Sequence, residues 1–387
     1  MKHSAVILFS AACLLLGIGC KDDTSRQSSS NEILVGEFAS MTGNTATFGQ
    51  SSHKGSVLAM EEINKDGLLG GKKIKLISED DRSDANEAVT AVQKLISRDR
   101  VVAVLGEVAS KRSFAGGGVC QKAKIPMISP ASTNPTVTAV GDYVFRICFT
   151  DDFQGMVDAQ FALKELPAVQ KQSWKKTAVF TDVANDYSKG LSKAFRETYP
   201  KSGGQVVAEE TFREGDNDFK AQLSKIKSAN PNAVFVPGYY ADVGKILRQA
   251  RELELNVPFF GGDGWDSPQT LALGAIADNC YYTDHYSADD PRPEVQDFIK
   301  RFQARWGETP DAMAILGYDA MAVLANAIKR AGKAEPQAIR DALAATRDYP
   351  GASGTITIDA NRNARKPIVV VRILGGKASR ADVIAPQ

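Results

Sequence analysis

The sequence predicts an α/β protein with two lobes, each built on a parallel β-sheet covered by helices. Short, continuously apolar runs alternate along the chain with segments of amphipathic helical pattern. Strands that are apolar throughout belong to sheets covered on both faces, and the helices between them supply the cover. Roughly 355 residues follow the N-terminal leader, more than one hydrophobic core normally serves, so two lobes are expected.

Three elements open the folded part of the chain. The apolar run Ile33–Phe38 predicts a first strand. Ser52–Lys65 predicts a helix that ends at Gly67, because glycine readily adopts the left-handed conformation that closes a helix. Ile74–Ser78 predicts the second strand.

The clearest helix in the sequence is Asp84–Arg98. Asp84 and Glu87 are spaced as in a capping box, in which side chains satisfy the first backbone N–H groups of a helix. Apolar side chains then recur at helical spacing and fall on one face, namely Ala85, Ala88, Val92, Leu95 and Ile96.

Two strand-to-helix turns come next, and they predict a binding site for an anion. Val101–Leu105 leads into Ser110, and Ile125–Ile128 leads into Ser129–Asn134. The first N–H groups of a helix have no internal partner, and the helix dipole favours negative charge there. Together the turns predict one small carboxylate held between Ser110 and Thr133. Ordinary N-capping by Ser and Thr is the alternative for either turn alone.

The alternation of strands and helices continues to the end of the chain. The predicted elements are Val144–Ile147, Met156–Leu166, Ala178–Thr181, Tyr187–Tyr199, Val206–Phe212, Phe219–Ala229, Ala233–Pro237, Val243–Leu253 and Phe259–Phe260. The pattern is mostly helical from Glu294 to Ala345, and two strands, Gly354–Ile358 and Ile368–Ile373, close the fold.

Three later strands are followed by side chains that suit a ligand. Ligands of open parallel sheets bind beyond the carboxyl ends of the strands, which is where Tyr187, Tyr239 and Asp263 stand. Asp263 lies among glycines, which let the backbone bend closely around a ligand. Opposed to the Ser and Thr turns, these groups predict a receptor for a zwitterion. A surface-turn carboxylate is the alternative for Asp263 alone.

Composition and motif content argue against several classes of function. The 47 Lys and Arg residues nearly balance the 46 Asp and Glu residues, so nothing indicates binding to nucleic acid or to an acidic membrane surface. His53 and His285 are isolated in the sequence, and neither a P-loop nor a nucleophile elbow is present. We therefore expect no enzyme activity, no metal and no cofactor. The alternative is an enzyme on a two-lobed scaffold, which would need a nucleophile–base pair or a cofactor-binding motif.

The N-terminus predicts export and a lipid anchor. Basic residues precede the apolar stretch Ala5–Ile18, which ends in small residues and Cys20. This resembles a bacterial lipoprotein signal, in which Cys20 is lipidated, and a plain secretory peptide is the alternative. The predicted signal peptide is 1–19, and 20–31 is a flexible tether.

Cys120, Cys148 and Cys280 remain in the folded part, so at least one thiol is unpaired and the pairing of the others stays open.

Several short motifs together carry a family resemblance. They are Met41-Thr42-Gly43 with Phe48-Gly49, Glu61-Glu62-Ile63-Asn64, Asp80-Asp81, Pro130-Ala131-Ser132-Thr133, Tyr187-Ser188-Lys189-Gly190 and Gly238-Tyr239 with Gly244-Lys245-Ile246-Leu247-Arg248-Gln249-Ala250. Over essentially all of residues 32–375, the chain resembles the branched-chain amino-acid (Leu/Ile/Val) binding proteins of bacterial ABC importers.

The resemblance implies a ligand-binding set. Ser110 and Thr133 are expected to hold the ligand carboxylate, and the Ala131 carbonyl and Asp263 the ammonium. Tyr187 and Tyr239 close from the second lobe. The full predicted set is Ser110, Ala131, Ser132, Thr133, Tyr187, Tyr239 and Asp263, with Phe48, Val108, Ala109 and Trp265 lining the pocket.

Three departures from the family pattern concern the ligand and the covalent structure. Asp263 stands where leucine-type proteins have Glu, and Trp265 replaces a small residue, which predicts a reshaped pocket. Ser83 and Ala109 occupy the places of two cysteines that form a disulfide in the best-known members.

The resemblance also implies the architecture and the partners. The fold is expected to be of the periplasmic binding protein type I, with two Rossmann-like lobes, 32–149 plus 287–351 and 150–286 plus 352–387. Three hinge crossings are expected near Phe149–Asp152, Asp284–Ser287 and Tyr349–Gly354. The predicted function is capture of an amino acid, of the aliphatic or branched-chain class, and delivery to the membrane permease of an ABC importer. The binder is expected to be a lipid-anchored monomer in the periplasm or at the cell surface. A sensing receptor for an amino acid or amide is the alternative.

Overall fold

The computed structural model describes residue 1 and residues 31–164 and 173–384. The predicted lipidation site Cys20 and almost all of the predicted signal peptide and tether lie outside the described residues. The first described strand begins at Glu32.

The first sheet has five parallel strands in the order β2-β1-β3-β4-β5. The elements that build it are β1 (Glu32–Ala39), α1 (Ala46–Asp66), β2 (Lys73–Asp80), α2 (Ala85–Ser97), β3 (Ala103–Leu105), α3 (Ser110–Ala123), β4 (Met127–Ser129), α4 (Thr136–Ala139) and β5 (Val144–Arg146). Its central strand β3 is apolar and buried throughout, as in a sheet covered on both faces.

The second sheet is built mainly from the middle of the chain. Its elements are α5 (Asp151–Leu163), β6 (Lys176–Asp182), α6 (Asp186–Thr198), β7 (Gln205–Phe212), α7 (Lys220–Ser228), β8 (Ala233–Phe235), α8 (Tyr240–Glu252), β9 (Phe259–Gly261), α9 (Pro268–Leu271) and β10 (Cys280–Asp284). A short 3-10 turn, Asp263–Trp265, follows β9.

The chain then returns to the first sheet before it completes the second. The last elements are α10 (Pro293–Trp306), α11 (Ala312–Ala331), α12 (Pro336–Ala344), β11 (Tyr349–Gly351), β12 (Gly354–Ile356), β13 (Ile368–Leu374) and β14 (Lys377–Ile384). Helix α11 packs along α1, where the Ser56 hydroxyl donates to the Gly317 carbonyl at 3.2 Å. The second sheet then has the order β14-β13-β10-β9-β8-β6-β7.

We call the five-stranded sheet with α1–α4 and α10–α12 the first lobe, and the seven-stranded sheet with α5–α9 the second lobe. The predicted α/β class with parallel sheets and flanking helices is confirmed. The exact residues at which the predicted lobes divide stay a prediction.

The second sheet differs from the prediction at one edge. Strand β13 runs antiparallel to β10, and β14 forms a hairpin with β13. Strand β14 has no continuous apolar run because it lies at the sheet edge and is mostly exposed, so its sequence carries little strand signal. The predicted closing strand Gly354–Ile358 is instead the short β12, which pairs with β11 in a separate two-stranded sheet.

Helix α1 begins six residues earlier than predicted, at Ala46 rather than Ser52. Gly49 lies in its first turn, where a Cβ atom would come within 2.1 Å of the Ser40 carbonyl oxygen. Glycine is therefore needed at this position, because it lets helix α1 approach the end of β1. This early start places Phe48 on the first turn of α1.

Helix α2 has the cap that the sequence predicts. Asp84 caps α2 by accepting from the N–H groups of Asn86 and Glu87.

The three cysteines of the described residues, Cys120, Cys148 and Cys280, are buried, and none of them forms a disulfide. Burial raises the pKa of the Cys148 thiol to about 12 and that of Cys280 to about 11.

Among the described residues, α11 alone has the length and apolar composition of a membrane span. Of its most apolar window, 83% is buried inside the protein. It is therefore the central core helix of the first lobe.

Candidate functional site

The carboxyl ends of the two sheets face each other across a small closed cavity. Its volume is about 10 Å³. Both lobes line it: Phe48, Val108, Ser110, Ala131, Thr133 and Met313 come from the first lobe, and Tyr187, Tyr239, Asp263 and Gly264 from the second. Eight of the eleven residues predicted to bind or line a ligand meet here.

The first-lobe wall presents hydroxyls and a helix start. Ser110 is the first residue of α3, so the N-terminus of that helix points to the cavity. The Ser110 hydroxyl accepts a hydrogen bond from the Asn134 N–H at 3.2 Å, which ties the two predicted turns together. A hydroxyl beside an open helix N-terminus suits a carboxylate.

Two stacked tyrosines form the opposite wall. The rings of Tyr187 and Tyr239 lie 5.3 Å apart and nearly parallel, and Phe48 meets Tyr239 edge-on at 5.5 Å. The Tyr187 hydroxyl accepts from the Gly264 N–H at 3.2 Å. A Cβ atom on Gly264 would lie 2.7 Å from the Gly238 carbonyl oxygen, so only glycine lets this turn approach so closely. The aromatic faces offer an apolar contact surface.

Asp263 is buried, and both of its carboxylate oxygens have partners. The Gln154 Nε2 group donates to Oδ1 at 3.2 Å, and His285 Nε2 lies 3.2 Å from Oδ2. The ring of His285 stacks on Phe149, with 3.7 Å between ring centroids. Burial lowers the pKa of His285, and the Asp263 carboxylate opposes this shift. The neutral imidazole therefore donates a hydrogen bond to Asp263.

Three predicted residues lie outside the cavity lining. Trp265 is fully buried in the second-lobe core, where its indole N–H donates to the Val236 carbonyl at 2.9 Å, and it does not line the cavity. The Ser132 hydroxyl is turned inward, 2.8 Å from the Val108 carbonyl. Ala109 donates its N–H to the buried Glu107 carboxylate.

Four residues of the site are absent from the set predicted from the sequence. Met313 and Gly264 line the cavity, and Gln154 and His285 hold Asp263. Met313 lies on α11, whose apolar pattern signals only a core helix. His285 looks isolated in the sequence because its partner lies on a different strand end. Of these four residues, only Gly264 could have been found from the sequence, because it belongs to the glycine-rich run around Asp263.

A buried charge network supports the first-lobe wall from behind. Arg112 Nε lies 3.2 Å from Glu107 Oε1, and the Arg112 Nη2 group donates to the Thr45 hydroxyl at 2.6 Å. The Ser40 hydroxyl bridges Asp81 and Glu107 at 2.8 and 2.7 Å. Burial, with repulsion from Glu107, raises the pKa of Asp81 to about 7. Arg112 is the cation that compensates both carboxylates.

Direct hydrogen bonds join the lobes around the cavity. The Thr47 N–H donates to the Tyr240 hydroxyl at 3.2 Å, and the Asn134 side-chain amide donates to the Asp186 carbonyl at 2.8 Å. The Asp266 carboxylate accepts from the Ala312 N–H at the start of α11, at 2.6 Å. These contacts require the lobes to be closed on each other.

A larger groove of about 690 Å³ lies beside this closed cavity. It contains none of the predicted ligand-binding residues, and each of its four acidic side chains already has a partner. Asp266 and Asp311 accept backbone hydrogen bonds at the start of α11, Asp284 accepts from the His285 N–H, and Glu308 pairs with Lys54. No group of three or more His, Cys, Asp or Glu residues in the described part of the chain is arranged to hold a metal ion. The small closed cavity is therefore the candidate ligand site.

Comparison with known proteins agrees with this architecture. A family model described as periplasmic binding protein matches residues 32–378. An amino acid binding protein of Pseudomonas aeruginosa is 32% identical over 311 residues, which cover 79% of this chain and 80% of the relative.

Two solved structures show the same fold. A leucine binding protein of Thermotoga maritima is 38% identical and has a TM-score of 0.86, with 92% of this chain and 99% of that chain covered. A branched-chain amino acid transporter substrate binding protein of Streptococcus pneumoniae, solved in complex with isoleucine, is 34% identical and has a TM-score of 0.85. That comparison covers 92% of this chain and 100% of the other.

The matches cover both lobes, and they confirm the predicted resemblance and the type I fold. The family consists of solute-binding components of transporters that act outside the cytoplasm, and it is not an enzyme family. The chain belongs to the periplasmic binding protein family.

Proposed function

We propose that this protein captures an aliphatic, branched-chain amino acid between its lobes and delivers it to the permease of an ABC importer. The observation that carries the proposal is the closed cavity, which has hydroxyls and a helix N-terminus on one wall and the Asp263 carboxylate on the other. Opposite polarity on two facing walls matches the two charges of an amino acid.

Each end of the ligand has a counterpart in the cavity. Ser110, Thr133 and the start of α3 receive the carboxylate, and Asp263 with the Ala131 carbonyl receives the ammonium. The side chain then lies among apolar groups from both lobes, which are Phe48, Val108, Met313, Tyr187 and Tyr239. The mostly apolar remainder of the cavity lining favours an aliphatic side chain.

Relatives support the same ligand class. The Streptococcus pneumoniae relative was solved with isoleucine bound, and a Pseudomonas aeruginosa relative, 29% identical over 306 residues, is a leucine-, isoleucine-, valine-, threonine- and alanine-binding protein. A ligand that contacts both lobes stabilises the closed form by its differential contacts. The permease then recognises the closed form.

A ligand panel tests this function. Thermal unfolding is measured with each of the twenty amino acids, short-chain amides and aromatic acids, and calorimetry follows for any ligand that shifts the transition. A ligand at a hundred times its Kd adds roughly 2.7 kcal/mol to the free energy of unfolding. We expect leucine, isoleucine or valine to give the largest shift. Stabilisation only by aromatic acids or amides would contradict the proposed ligand class.

Ligand binding is expected to compact the molecule, because the binding groups are distributed over both lobes. Small-angle scattering with and without saturating isoleucine measures the radius of gyration, which should fall when the ligand is added. The matched control is a simple salt at the same ionic strength. An unchanged radius, with binding shown by calorimetry, would rule out large-scale hinge closure.

We further propose that Cys20 carries a lipid that tethers a monomeric binder to the membrane surface. The support is the sequence alone, a basic start and an apolar stretch that ends at Gly19-Cys20. Cys20→Ala should release the protein from membranes and leave ligand affinity unchanged. Membrane fractions after an alkaline wash measure the release, with Cys120→Ala as the matched control. Equal retention of Cys20→Ala and parent would refute lipidation.

A further inference from the structure

We propose that His285 is a positioning residue that orients Asp263 toward the ligand ammonium and makes the affinity for amino acids depend on pH. This inference rests on the proposed function, because it assigns a regulator to the same site. Three features carry it: the contact between the two side chains, the stacking of the imidazole, and the state of its second nitrogen.

The contact joins three separate parts of the fold. His285 directly follows β10 at a predicted hinge crossing, Asp263 lies in the turn after β9, and Phe149 precedes α5 at another predicted crossing. The imidazole is fully buried, and its stacking on Phe149 is nearly parallel, at 18° between planes. Because the ring is clamped by Phe149, its Nε2 atom has a fixed direction, 3.2 Å from Asp263 Oδ2.

Gln154 completes the support of the carboxylate. Its Nε2 group donates to Asp263 Oδ1 and lies 3.0 Å from the Thr283 hydroxyl, so the amide is itself held in place. With one donor on each oxygen, the Asp263 carboxylate has a defined orientation. Each oxygen keeps lone pairs for the ligand, since a carboxylate accepts more than one hydrogen bond per oxygen.

The second nitrogen of His285 indicates the protonation state. Nδ1 is buried, and no described residue forms a hydrogen bond with it. A buried N–H without an acceptor costs more than a bare ring nitrogen, so the proton belongs on Nε2. A neutral donor leaves the full negative charge of Asp263 available to an ammonium.

Protonation of His285 would compete with the ligand for the charge of Asp263. The charged groups that act on the imidazole are Asp263, which raises the pKa of His285, and Lys366, which lowers it. The Asp284 carboxyl group accepts from the His285 backbone N–H at 2.7 Å, and burial raises the pKa of Asp284 well above its usual range. A bound ammonium adds a further positive charge beside Asp263. Binding of an amino acid therefore expels the extra proton from His285. By linkage, the affinity is greatest above the pKa of His285 in the free protein and falls as pH decreases through it, by at most about tenfold per pH unit.

Calorimetry between pH 5.5 and 8 tests the proposal with two probes. Isoleucine carries the ammonium, and its deaminated analogue, 3-methylpentanoate, does not. Because burial lowers the pKa of His285, we expect the affinity of the parent for isoleucine to fall at the acidic end of this range, by at most about tenfold, with no such fall for the analogue. An equal fall for both probes would overturn the proposal.

Two substitutions separate positioning from a structural role. His285→Gln keeps an N–H donor within reach of Asp263 but cannot titrate, so isoleucine should bind within about threefold of the parent at pH 8 with a flat pH profile. His285→Phe keeps the stacked ring and loses the donor, and it should bind isoleucine about tenfold more weakly at pH 8, also with a flat profile. His53→Gln is the matched control, because His53 contacts Glu37 away from the cavity, and it should keep the parental profile.

The outcomes distinguish this inference from the proposed function. If the parent binds no amino acid at pH 8, the proposed function fails. If it binds isoleucine and His285→Gln keeps the parental pH profile, only the role of His285 fails. Should His285→Phe not fold, His285→Gln still decides the question. Nitrogen NMR adds a direct readout, since a proton on Nδ1 of His285 in the isoleucine complex would contradict the neutral Nε2–H donor.

Discussion

Asp263→Ala should weaken amino-acid binding by roughly 30-fold to several thousand-fold. Asp263 is buried in the closed cavity, and truncating one member of such a desolvated charge pair costs about 2–5 kcal/mol. The ligand ammonium then lies in the closed site without an anionic partner. Calorimetry with isoleucine gives the loss in affinity.

The deaminated analogue provides the internal control for this variant. 3-Methylpentanoate has no ammonium, so its affinity should change little or improve when Asp263 is removed. Asp263→Asn keeps the shape of the side chain and removes its charge. It should likewise lose affinity for isoleucine, while its affinity for 3-methylpentanoate should change little or improve. If Asp263→Ala binds isoleucine within about threefold of the parent, the assignment of the ammonium site is wrong.

Arg112→Met should lower the free energy of unfolding by about 3–5 kcal/mol, because it leaves Asp81 and Glu107 buried without a cation. Methionine keeps much of the packing volume, so the loss reports mainly on charge. Urea unfolding at pH 7.5 measures the effect. Arg98→Met is the matched control: this exposed arginine pairs with Asp99 on the surface, so its loss should change the free energy of unfolding far less than Arg112→Met does.

The pH dependence of this variant has a defined sign. The pKa of Asp81 is raised to about 7 in the folded protein, above its unfolded value, so folding takes up a proton and stability falls as pH rises toward 7. Arg112 holds that pKa down, and its removal raises the pKa further. The destabilisation by Arg112→Met should therefore be larger at pH 8 than at pH 5. Equal destabilisation at both values would contradict the network described here.

The elements that the sequence predicted well are those whose signal is local. Helix α2 carries its cap, Asp84, and its apolar stripe within fifteen residues, and both are found as expected. The strand-to-helix turn that places Ser110 is equally local, since an apolar strand and a hydroxyl residue stand next to each other in the chain. Thr133 differs from the prediction, because it lies in the loop that follows β4, before the short helix α4 begins at Thr136. The residues after each strand end could be picked out because parallel strands bring their carboxyl ends to one edge.

The elements and residues that were missed depend on distant partners. Strand β14 is an exposed edge, so pairing with β13 rather than its own apolar content makes it a strand. Trp265 looked like a pocket residue because of its neighbours in sequence, yet the turn that places Asp263 at the cavity directs the indole into the core. Met313 reaches the cavity only because α11 packs along α1.

By itself, the sequence determined the two-lobed α/β class, the family and eight residues of the cavity, because apolar periodicity, turn residues and short motifs are properties of neighbouring residues. The tertiary structure decided which side chains share the cavity and which support it from behind. The pairing of His285 with Asp263 joins residues 22 positions apart, and that of Arg112 with Thr45 joins residues 67 apart. Such contacts exist only after strands and helices have packed, because long-range distances are set by the fold and not by the spacing of residues along the chain.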